Sequence, residues 1–136
     1  MNAISELWDG INDALLAKKV DIGITSVEQA ETGTLNTIKA PGCATWIDFG
    51  DADFSGGGQI LSLPVELFVF CVATPQKNQC AAVNAALEIA LNVLNCISGT
   101  AVNGSVILPG AKPLELIEKS STKSIVAAMF TIDVRL

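Results

Sequence analysis

The chain has 136 residues, half of them hydrophobic and only 16% charged, which is enough for one continuous core and too little for two, so a single domain over residues 1–136 is expected. Fourteen acidic against eight basic residues give a formal charge of −6, and apart from Lys18-Lys19 the bases are scattered, which argues against nucleic-acid binding led by phosphate neutralisation. With no histidine and no CxxC pair among Cys43, Cys71, Cys80 and Cys96, neither a metal site nor a cofactor is expected.

Residues 4–17 carry Ile4, Leu7, Trp8, Ile11, Ala14 and Leu15 at helical spacing, with Glu6, Asp9, Asn12 and Asp13 opposite, so an amphipathic helix is predicted despite Gly10. Trp8 reads as a core anchor. The stretch Val20–Gly42 has one short apolar candidate at Ile22–Ile24 and otherwise reads as a long excursion. Cys43–Phe49 is β-prone and bounded by Pro41-Gly42 and Gly50-Asp51, which predicts a short strand. Residues 50–58 hold three consecutive glycines and suit a flexible hairpin tip. A calcium loop would need a Glu where Ser62 stands, and a phosphate loop would need Lys-Ser or Lys-Thr followed by a helix; neither pattern is present.

From Gln59 to Ala73 the residues alternate, with Leu61, Leu63, Val65, Leu67, Val69, Cys71 and Ala73 on one face, and this is the expected centre of the sheet. Thr74-Pro75 offers a helix opening, and a long helix follows to Ile97, with Gly99 as its C-terminal stop. Val83, Ala86, Leu87, Ala90, Leu94 and Ile97 define its inner face. Ile89, Leu91 and Val93 widen the apolar surface further and are candidate partner-binding residues. A loop containing Asn103-Gly104 and Pro109-Gly110 leads to a short strand at Leu114–Glu118, a turn at 120–123, and a last strand in which Val126, Ala128, Phe130, Ile132, Val134 and Leu136 share a face. The order predicts an α+β fold: a mainly antiparallel sheet of about four strands with two helices packed on one face.

Catalytic chemistry finds little support. Asp48, Asp51 and Asp53 cluster locally, but nothing marks one as buried or perturbed, and Glu115 and Glu118 point to opposite sides of one strand. The start Met1–Glu6 lacks the basic and apolar regions of a secretory signal, so reduced thiols in a cytoplasm are expected, with Cys71 and Cys96 as small buried hydrophobes. The apolar runs Ile60–Ala73 and Ala81–Ala90 are broken by Pro64, Glu66, Asn84 and Glu88, so no membrane span is expected.

The N-terminal amphipathic helix, the strand and glycine hairpin leading into Leu61-Ser62-Leu63-Pro64-Val65-Glu66-Leu67-Phe68-Val69-Phe70, the Ala/Leu helix 77–97 and the closing Ser124–Leu136 together resemble the tail-terminator and minor tail proteins of long-tailed bacteriophages, of Mu and lambda type. The resemblance covers nearly the whole chain in length and element order, on generic motifs. It implies a non-enzymatic virion protein, made in the host cytoplasm and carried in the tail, that forms a homo-oligomeric ring of six. Such a ring caps the tail tube protein and meets the neck or head connector protein, while DNA passes through an acidic lumen without specific binding. Asp51, Asp53 and Phe54 then become partner-contact candidates beside Ile89, Leu91 and Val93, with Phe54 as an aromatic anchor. A head-tail joining protein of the neck is an alternative. Another is a small-molecule-binding or enzymatic domain of a cellular host, with Trp46 and Asp48 as its candidates.

Overall fold

The computed structural model describes residues 3–30, 37–48 and 62–135. Its elements are α1 (Ala3–Ala17), α2 (Lys19–Ile22), β1 (Ser26–Gln29), β2 (Gly42–Asp48), β3 (Ser62–Val72), α3 (Gln79–Ile97), β4 (Ala101–Val102), β5 (Ser105–Glu118) and β6 (Ile125–Arg135). The alternation of β3 and β6 sets the frame. In their antiparallel register Leu63 faces Val134, Val65 faces Ile132, Leu67 faces Phe130, Val69 faces Ala128 and Cys71 faces Val126, and all ten side chains are buried in one core. Onto this face pack Leu7, Ile11 and Leu15 of α1 and Ala86, Ile89, Ala90, Val93 and Ile97 of α3. Each fully buried large apolar side chain contributes roughly 1.5–3 kcal/mol, offset mainly by chain entropy.

The expected four-stranded antiparallel sheet with two helices is incorrect. The sheet has six strands in the order β1-β2-β3-β6-β5-β4 and curls into a half-barrel, with three helices. It is mixed, because β1 runs parallel to β2 while the other pairs are antiparallel. Two segments account for the difference. The first is Val20–Gly42, which contains the end of α2 and all of β1; β1 is only four residues, Ser-Val-Glu-Gln, too short and polar to alternate visibly. Part of its connection to β2 makes a second, smaller core on the outer face, where Ala30 and Ile38 bury against Ala44, Val72 and Ile125.

The second segment is 101–118, read as a loop and a short strand. Asn103 and Gly104 have φ of 50° and 81°, as a two-residue hairpin turn of the primed type requires, and they join β4 to the fourteen-residue β5. Pro109-Gly110, read as part of the loop, lies within β5 together with Pro113; proline is tolerated where a strand lies at an edge or bulges. The register steps from Pro109 opposite Phe130 to Leu114 opposite Ala128, so β5 bulges between them.

The helices also differ in detail from the pattern. Gly10 does not interrupt α1; a Cβ there would come within 2.6 Å of Val102 Cγ1, so the glycine admits β4 against the helix. The long helix opens at Asn78 rather than Thr74, the Asn78 side chain accepting a hydrogen bond from the Ala81 amide at 2.8 Å. At its other end Lys18 Nζ donates to the Cys96 carbonyl at 2.7 Å, bringing a cation to the negative end of the helix dipole. α3 is long and apolar enough to cross a membrane by composition, with a mean hydropathy of 1.6, and its inner face is the floor of the core.

Candidate functional site

The longest strand edge without a pairing strand among the described residues is the outer edge of β5. One side of this strand pairs with β6; on the other, β4 covers only Ser105 and Val106. The chain just before β4 extends that cover by one residue, as the Ile107 amide donates to Thr100 O at 2.9 Å and the Gly99 amide donates to Ile107 O at 2.7 Å. From Leu108 to Glu118 no strand pairs with the outer edge among the described residues. Exposed apolar side chains lie along the same strand: Val106, Leu108, Leu116 and Ile117, with Leu108 52% exposed.

An open strand edge presents unpaired amides and carbonyls to any chain that can lie beside it, and proteins commonly blunt such edges with proline, lysine or bulges. β5 has all three devices in its middle, at Pro109, Lys112, Pro113 and the bulge. The stretch Leu114-Glu115-Leu116-Ile117-Glu118 has its two carboxylates and a second, one-residue register shift between Leu116 and Glu118. The sheet's opposite edge is β1, four residues long, with two of its polar side chains hydrogen-bonded to neighbouring elements: Gln29 Nε2 donates to Asp9 Oδ1 at 2.8 Å and Ser26 Oγ donates to Lys39 O at 3.0 Å. The two ends of the sheet therefore differ in length and chemistry.

The sequence-predicted contact residues are distributed unevenly about these surfaces. Asp51, Asp53 and Phe54 lie outside the described residues. Ile89 and Val93 are buried in the domain's own core, and Leu91, 42% exposed, points away from it. The inner face of α3 follows Ala82, Ala86, Ile89, Ala90, Val93 and Ile97, so two of the three residues read as surplus are at its centre. The width of the apolar face comes from α3 packing against β3, β5 and β6 together.

Trp46 and Asp48 share the outer face of β2. Trp46 stands opposite Phe68 and Asp48 opposite Glu66. The Trp46 indole meets that of Trp8 edge-on at 6.0 Å. Trp8 Nε1 donates to Thr45 Oγ1 at 2.8 Å, and that hydroxyl donates to Asn12 Oδ1 at 2.5 Å. The arrangement pins α1 to the sheet. The space between α3 and the sheet is occupied by apolar side chains, and no group of three or more metal-ligating side chains occurs among the described residues.

No protein-family profile matches the chain, and no curated protein is significantly similar to it.

Sequence reasoning missed two features. The first is the β5 edge, hidden by its prolines. The second is a thiol pair: Cys43 and Cys71 are opposite each other in the β2–β3 register, both fully buried, with Sγ atoms 3.7 Å apart. Burial, with the Cys43 thiol beside it, pushes the Cys71 thiol well above its ordinary pKa. The signal was available, since the two cysteines are equidistant from Gly57, the middle of the three glycines.

Proposed function

We propose that this protein is a non-enzymatic structural subunit that assembles with copies of itself into a ring, in the manner of a phage tail terminator joining tail tube to neck. The observation that carries the reading is the open β5 edge with its exposed Leu108, Leu116 and Ile117. A sheet with a long open edge at one end and a short, different one at the other suits head-to-tail contact between copies. Such heterologous contacts close into rings when the rotation allows. Six subunits, the tail tube and the neck connector as neighbours, and residence in the virion tail are part of the same proposal, drawn from the sequence resemblance. The formal charge of −6 suits a lumen through which DNA slides.

The experiment is an assembly assay. Tail-tube protein polymerising in the presence of this chain should stop at defined lengths, with a ring visible at one tube end in negative-stain images. Tubes that grow to the same lengths with and without it, and carry no end density, would refute the terminator role.

A further inference from the structure

We infer that Cys43 and Cys71 form a reversible disulfide site that cross-links β2 to β3 when a peroxide is present. They are 28 positions apart in sequence and directly opposed in space. Opposed residues on antiparallel strands have Cα atoms about 4.5–5.5 Å apart, inside the roughly 4.4–6.8 Å window for disulfides. Both side chains point into the core face, so the Cβ vectors are on the same side of the sheet, and the sulfurs at 3.7 Å need to approach by less than about 2 Å to reach bonding distance. Small side-chain rotations supply that.

The pair is one rung from the end of the β2–β3 ladder, where Gly42 stands opposite Val72, and both strands are interior there: β1 pairs with Gly42 and Cys43, and β6 with Cys71 and Val72. Oxidation in the folded protein therefore proceeds through local opening of this corner of the sheet, a rarer event than fraying of an edge strand. Burial and the raised Cys71 pKa keep the thiolate population low in the closed state, so reaction is slow there. One thiolate attacks a peroxide oxygen, breaking the O–O bond and giving a sulfenic acid; the other thiol displaces the sulfenic oxygen as water. Two thiols and one hydrogen peroxide thus give one disulfide and two waters. The sulfurs lose two electrons and the peroxide gains them. The product clamps the two strands that flank residues 49–61, the segment carrying Asp51, Asp53 and Phe54.

The test uses the Cys80→Ser/Cys96→Ser variant, which retains only this pair, treated with hydrogen peroxide both folded and during refolding from denaturant. The expected product is a monomer lighter by two hydrogens, yielding a peptide that links Cys43 to Cys71. It reverts fully with dithiothreitol and melts higher by on the order of 5 °C than the reduced form. Thiols that stay free under both treatments, products that only gain oxygen, or a linked form that melts lower would overturn the assignment. If the double variant does not fold, wild-type protein with Cys80 and Cys96 alkylated first is read for the same linked peptide, with the same outcomes deciding.

Discussion

Thr45 shows how one polar side chain can organise an apolar neighbourhood. It is fully buried, accepts from Trp8 and donates to Asn12, and so ties the first helix to β2 through a hydroxyl. Thr45→Val keeps the shape and removes both bonds, leaving the indole N–H and the Asn12 carbonyl unpaired in a half-buried site. The expected loss is about 1–3 kcal/mol, read as a lower urea midpoint at unchanged slope; an unchanged midpoint would mean that water replaces the hydroxyl at no cost. Cys71 gives a prediction in pH. Its thiol titrates higher in the folded chain than its ordinary value of 9.0, so the unfolded chain loses that proton first as pH rises. The contribution is fully present below about pH 9 and is lost as pH climbs toward the folded value. In reductant, the melting temperature should fall above that pH, more steeply for wild type than for Cys71→Ala; equal slopes would remove the thiol from the account.

Among the elements, legibility in sequence followed burial. β3 and β6 are buried on the helix face along their length, so their alternation was plain; α3 showed its helical period, but of the face expected to point inward only Ala86, Ala90 and Ile97 are buried, while Val83, Leu87 and Leu94 are half-buried and Ala82, Ile89 and Val93 complete the inner face. β1 and β5 are edges. An edge strand need not alternate, can hold proline, and in β1 lends four residues, three of them polar, to a parallel pairing whose partner lies across a long connection. The same property that hid β5 gives it its proposed role, since residues free of core duty are free for a partner. Ile89 and Val93 illustrate the converse: their apolar character reflected a wide internal contact, and of the three surplus residues only Leu91 is left on the surface. The aromatic candidate Phe54 and its neighbours Asp51 and Asp53 lie outside the described residues.

The whole molecule is proposed to self-assemble through that edge. Leu116 and Ile117 are 43% and 39% exposed, so replacing both with lysine should change the stability of the isolated domain by no more than about 0.5 kcal/mol per site, while placing the charge that natural edge strands use to prevent pairing. The decisive measurement is the mass in solution by light scattering after gel filtration, over a range of concentrations, for wild type and for Leu116→Lys/Ile117→Lys at matched thermal stability. Wild type is predicted to form a discrete oligomer with the mass of a closed ring and the variant to remain a folded monomer. A wild type that stays monomeric at every concentration, or a variant that assembles equally well, would contradict the account.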